Sequence, residues 1–117
     1  MAVAVPFKFT TTAGLNLQPV RAGQAGKLKG FAVANVATAI YIKLYWFTET
    51  SPTVEGPVVG STIPAMTIGV AASANDHESW PDGITGNGQM WVAVTAAAAD
   101  SDAANAAAGA VVTLLVE

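Results

Sequence analysis

At 117 residues and 11.8 kDa the chain has the size of one small domain, and 52% of it is hydrophobic while only 11% is charged. That is less than half the roughly 25% charge usual in soluble domains, which predicts a surface partly hidden against partners. Five Lys and Arg against eight Asp and Glu, a net charge of −3, leave no basic face for nucleic acid, and the absence of Cys excludes disulfides, thiolate metal sites and a Cys nucleophile.

In chain order, Phe7 to Thr12 alternates aromatic and β-branched residues between Pro6 and Ala13-Gly14, the pattern of a short strand. Leu15, Leu17 and Val20 continue a second alternating piece. A turn over 23–26 precedes a strand from Leu28 to Val36, with Phe31 and Val33 on one face. The clearest strand is Ala39 to Phe47: Ile40, Ile42, Leu44 and Trp46 fill one face, and Tyr41, Lys43, Tyr45 and Phe47 the other. Thr48 to Thr62 holds Pro52, Gly56, Pro57 and Gly60, too many breakers for a regular element, and reads as a long loop. Ile63 to Val70 resumes the extended pattern, with Pro64 at the strand entry.

Glu78 to Trp80 reads as a short strand. Two tight turns at Pro81-Asp82-Gly83 and Gly86-Asn87-Gly88 then lead into a strand from Gln89 to Thr95. The Ala-rich stretch 96–110 has local helix propensity, but Asp100, Asp102 and Asn105 interrupt it, so it is expected as a loop with at most a turn or two of helix. Val111 to Val116 closes the chain as a strand. Short strands punctuated by Gly and Pro, without crossover helices, predict an all-β fold: one antiparallel two-sheet β-sandwich spanning 1–117, jelly-roll-like. No basic leader precedes Lys8, and no apolar run reaches the roughly 18 residues of a membrane helix, so neither a secretion signal nor a membrane partner is expected.

Few residues offer chemistry. His77, the sole histidine, lies between Asp76 and Glu78, but consecutive residues of an extended chain point to opposite faces and do not converge on a metal or a proton. Asp100-Ser101-Asp102 opens like a calcium loop, yet Ala103-Ala104-Asn105 lacks the ligands and Gly that should follow. Gly83, Gly86 and Gly88 precede no helix that could supply a phosphate-binding N-terminus. No Gly-x-Ser-x-Gly occurs. The reading is no catalytic residues, no cofactor and no metal: not an enzyme.

The aromatic residues say more. With the Ile40 face in the core, Tyr41, Tyr45 and Phe47 project from the outer face and need a cover, either the chain's own long loop or another subunit. Residues 1–6 read as an N-terminal arm, with Ala2, Val3, Ala4 and Val5 as candidates for pairing with an adjacent chain. Trp80 and Trp91 form an alternative platform on which a host-surface glycan could stack.

The progression Ala-Gly-Lys-Leu-Lys-Gly-Phe-Ala-Val-Ala-Asn (25 to 35), Ile-Tyr-Ile-Lys-Leu-Tyr (40 to 45), Ser-Pro-Thr-Val-Glu-Gly-Pro-Val-Val (51 to 59), Asp-Gly-Ile-Thr-Gly-Asn-Gly (82 to 88) and Ala-Asp-Ser-Asp (99 to 102) resembles small β-sandwich proteins of tailed-bacteriophage structural modules. Several of those proteins are auxiliary capsid proteins, also called decoration or cement proteins. Trp46 is a departure, standing where the progression is often acidic. The resemblance implies a structural virion protein, made in the host cytoplasm and carried on the capsid exterior. Its partners would be the major capsid protein and further copies of itself, as a homotrimer; the aromatic face of Tyr41, Tyr45 and Phe47 and the apolar arm are expected at the interfaces on their own residues' account. The other role found in such modules is a head-fibre or tail part that recognises a glycan.

Overall fold

The computed structural model describes residues 4–20, 26–48 and 56–117. Of the arm candidates, Ala2 and Val3 lie outside these residues, as does 49–55 of the long loop.

Eight strands form in the order β1 (Val5–Thr10), β2 (Asn16–Pro19), β3 (Lys27–Ala34), β4 (Ile40–Phe47), β5 (Met66–Val70), β6 (Asp76–Thr85), β7 (Gln89–Thr95) and β8 (Val111–Val116). One sheet has the order β1-β8-β3-β6 and the other β2-β7-β4-β5. All pairings are antiparallel. First pairs with last, second with seventh, third with sixth and fourth with fifth, as in one long hairpin rolled across two sheets. This is the eight-stranded jelly roll, in agreement with the sandwich read from the alternation.

The core lies between the sheets. From β4 come Ile40, Ile42 and Leu44, from β7 Met90, Val92 and Val94, from β8 Val112, Leu114 and Val116, and from β3 Leu28, Phe31 and Val33. In each strand these residues recur with the period-two spacing that puts alternate side chains on one face. Burying each contributes about 1.5–3 kcal/mol, which holds the fold without cross-links. Phe7 and Phe9 close the β1 edge, and Trp46 closes one mouth, its indole N–H donating to Gly26 O at 2.9 Å.

Several element boundaries differ from the sequence reading; β5 begins at Met66 and not at Ile63, which leaves Pro64 in the loop before it. β1 starts at Val5 and includes Pro6, which an edge strand tolerates because its outward side needs no N–H. Residues 76–85 make one strand, where the sequence reading has a short strand and a tight turn at Pro81-Asp82-Gly83; the turn read at Gly86-Asn87-Gly88 stands, between β6 and β7. β3 pairs Gly30–Val33 with 76–79 and Lys27–Leu28 with 84–85, so both pieces join one ladder and Trp80 to Gly83 form the irregularity between them. Lys29 Nζ donates to Pro81 O at this break.

Candidate functional site

The register places the candidate residues on definite faces. On the outside of the β2-β7-β4-β5 sheet, Tyr45 lies opposite Trp91, Lys43 opposite Ala93 and Tyr41 opposite Thr95. Leu17 and Pro19 extend this face across β2. Two loops of the same chain roof it. The segment 96–104 folds back as a set of turns: Asp102 N–H donates to Ala99 O (2.9 Å), Ala96 N–H to Ala104 O (3.0 Å), and Ala97 N–H to the Asp102 carboxylate (3.1 Å). The second loop abuts the first, since a Cβ on Gly60 would sit 3.1 Å from Ala103 Cβ, and it presses on the indole of Trp91, 2.8 Å from a Cβ on Gly56.

Under this roof Lys43 is fully buried, at 0% exposure. Its ammonium donates to Ala99 O at 2.7 Å and Asp102 O at 3.0 Å. The Asp100 to Asp102 turn that resembled the start of a cation loop thus already holds a cation, the lysine of β4, while the Asp102 carboxylate caps a backbone N–H. Among the described residues no group of three or more His, Cys, Asp or Glu gathers. His77 lies on the β6 edge strand, its N–H donating to the Asp76 carboxylate at 2.9 Å.

The expectation of a projecting aromatic patch is therefore corrected. Tyr45 is 1% exposed and Tyr41 and Phe47 are half-buried. For Lys43 the cover is the chain's own Ala-rich loop, whose turn carbonyls satisfy its ammonium, and Tyr45 is buried beside it, near Asp100 of that loop. Val5 lies within β1, paired with Val116 of its own chain and exposed, while Ala4 lies just before that strand, half-buried. Trp80 and Trp91 do not share a platform. Trp80 belongs to the other sheet and packs on Phe31, with ring centroids 5.7 Å apart, whereas Trp91 sits beneath Gly56.

The Tyr45 hydroxyl is buried without a hydrogen-bond partner. Burial first, and then the negative charge of Asp100, raise its pKa above the ordinary value. The folded state therefore favours the protonated hydroxyl: this contribution is intact below about pH 10 and is lost as pH rises through the raised folded value. Tyr45→Phe removes an unsatisfied group at nearly constant volume, so it is expected to be neutral or stabilising by about 1 kcal/mol and to lessen the stability loss in alkaline denaturation. A destabilisation of that size, measured by urea unfolding, would show that the hydroxyl has a partner in solution.

The outside of the β1-β8-β3-β6 sheet differs. Its rows are Pro6, Lys8 and Thr10 on β1; Leu115, Thr113 and Val111 on β8; Gly30, Ala32 and Ala34 on β3; and Ser79 and His77 on β6. Leu115 is 39% exposed, and Ala32 and Ala34 are also exposed. The two central strands carry no charged side chain in these rows, and Lys8 and His77 stand at the flanks. Apart from this face, an open notch of about 320 Å³ at one end of the sandwich is lined by Asn35, Val36, Ala37, Ser73, Asn75 and Ala108. Asn35 and Ser73 take left-handed φ there, 62° and 61°, each tied across loops, by Asn35 Nδ2 donating to Gly109 O and by Ser73 N–H donating to Val36 O.

Among the described residues the two sheet faces are thus unequal, one roofed by two loops of the chain and the other without such a roof and nearly uncharged. No protein-family model, curated protein sequence or solved structure matches this chain.

Proposed function

We propose that this protein is a capsid decoration protein, binding the outside of a viral shell through its bare sheet face and stabilising the shell by bridging major capsid subunits. The observation that carries this reading is the unequal treatment of the two faces. A chain that spends two loops on roofing one sheet leaves Leu115, Ala32 and Ala34 exposed on the other, with Thr113 and Val111 half-buried beside them. A continuous face of small and apolar residues is a docking surface before it is a solvent surface. The sequence resemblance supports the same reading and suggests a homotrimer on the capsid exterior. Separation of Trp80 from Trp91 onto different sheets removes the support for a glycan platform built on that pair.

Binding to the assembled shell alone adds stability as RT ln(1 + [L]/Kd), about 2.7 kcal/mol per site at a hundredfold excess over Kd, summed over many sites. Particles carrying the protein should release their genome at a higher temperature than stripped particles, with reducing agent or EDTA present or absent. Ala32→Glu with Leu115→Glu places two charges on the exposed face and should abolish particle binding while leaving the thermal unfolding of the free protein nearly unchanged. Undiminished binding of that variant would refute the assignment of the face, and unprotected particles would refute the function.

A further inference from the structure

Each sheet has two edge strands, β1 and β6 in one, β2 and β5 in the other. An edge strand offers unpaired backbone N–H and C=O groups, and proteins guard such edges with charge, proline, bulges or brevity. Three of the four are guarded here. β1 carries Pro6 and Lys8, and β2 is four residues long and ends in Pro19. β6 presents Asp76, His77 and Glu78 and breaks register at 80–83.

β5 reads Met-Thr-Ile-Gly-Val, with no charge and no proline, and its five rungs with β4 run without a register shift. Thr67 and Gly69 are exposed, and Met66 and Ile68 remain half-buried at the rim of the core. Among the described residues no loop donates or accepts a backbone hydrogen bond along 66–70. Ala65, Ala71 and Ala72 flank the strand, so the nearest sequence neighbours are uncharged as well.

We infer that this edge pairs with β5 of a second copy of the chain, antiparallel across a two-fold axis at Ile68. The self-pairing is complementary rung by rung. Met66 meets Val70 of the second copy, Thr67 meets Gly69, and Ile68 meets itself. The inner row becomes a continuous apolar strip and no like charges are opposed. Gly69 suits the outer row because the Tyr41 ring already occupies the space over it, 3.1 Å from where a Cβ would stand. A contact one strand wide buries far less than the roughly 800 Å² per partner of a standard stable interface. The dimer is therefore weak in solution and strengthens where copies are crowded. This contact is separate from the three-fold assembly that the resemblance implies and does not rest on the capsid reading.

Sedimentation velocity of the wild-type chain from about 10 μM to about 1 mM, the span in which weak contacts titrate, should show a rising dimer fraction. Thr67→Lys adds the guard that β5 lacks and should leave the chain monomeric throughout; it stands opposite Lys43 on β4, so a modest fall in the thermal midpoint accompanies it. Because the chain has no Cys, a single Ile68→Cys is a clean probe. Directly opposed residues stand about 4.5–5.5 Å apart at Cα, within disulfide reach, so it should cross-link under mild oxidation faster than Ser79→Cys on the guarded β6 edge. A wild-type chain monomeric at every concentration would overturn the inference, as would dimerisation that Thr67→Lys leaves untouched. Equal cross-linking of the two Cys variants would overturn the register at Ile68.

Discussion

Lys43→Ala is expected to destabilise the fold by about 3 kcal/mol, within the range for truncating a long buried side chain, seen as a fall in the thermal midpoint of about 12 °C at roughly 4 °C per kcal/mol for a domain of this size. The fully buried ammonium holds two carbonyls of one turn, Ala99 O and Asp102 O, and thereby fastens the 96–104 roof to β4. Truncation leaves a channel where the stem lay and frees the roof from the sheet. Lys43→Met separates these effects. It keeps the stem's volume and loses the charge-assisted bonds, each worth about 1.5–3 kcal/mol, but it also ends the cost of keeping an ammonium out of water. A net loss of about 1 kcal/mol follows. Hydrogen exchange locates the damage: the amides of Ala97 and Asp102, bonded within the roof, should lose protection in both variants, whereas those of β8 should not. A Lys43→Ala chain within about 0.5 kcal/mol of wild type, the range of an ordinary surface change, would mean that the roof is not fastened by this residue.

Lysine 43 also marks where the sequence stops being legible. Alternation in β4 is a local signal, and it assigns Ile40, Ile42 and Leu44 to the core as the structure has them. By the same logic Lys43 belongs outside, on a face expected to meet solvent or a partner, because lysine is almost never fully buried unless paired. Its partners are backbone carbonyls 56 and 59 positions away, and a carbonyl carries no side-chain signature. The Ala-rich segment gave the only hint, since a stretch with neither bulk nor regular structure is suited to lying flat on something. Which face it would lie on depended on tertiary topology.

The edges show the converse. Charge and proline in β1, β2 and β6, and their absence from β5, are plain in the sequence, but they acquire meaning only once the strand order shows which strands lack a second neighbour. The polar run Asp76-His77-Glu78, which has no apolar alternation of its own, is strand because β3 pairs with it on one side and the other side is an edge. The bare face is of the same kind. Ala32, Thr113 and Leu115 are unremarkable singly and become a surface when β3 and β8 lie side by side.

Gly88→Ala is expected to cost about 3 kcal/mol, by strain of the kind that costs about 1–3 kcal/mol where a non-glycine residue is held at an unfavourable positive φ, with steric overlap added. Residues 86–88 carry the chain from β6 in one sheet to β7 in the other. Packed sheets stand about 10 Å apart, and the four Cα steps from Thr85 to Gln89 extend to about 14 Å at most, so this crossing has little slack with which to absorb an added atom. Gly88 makes it at φ 96°, a conformation that L side chains rarely adopt, and a Cβ there would stand 2.5 Å from the carbonyl oxygen of Phe47, at the end of β4. That neighbour is backbone and cannot rotate away. At Gly86 the obstacle is instead the Trp46 side chain, its Cγ at 2.5 Å and its Cβ, which no side-chain rotation moves, at 2.6 Å, but Gly86 does not take a positive φ, so the conformational strain of Gly88 is absent there. The expected order of damage is Gly88→Ala, then Gly86→Ala, with Asn87→Ala, an exposed side chain at the tip, near zero. Urea denaturation of the three variants tests the order. Equal losses at 86 and 88 would mean that the chain shifts at the crossing after all, and that the backbone of Phe47 does not fix it.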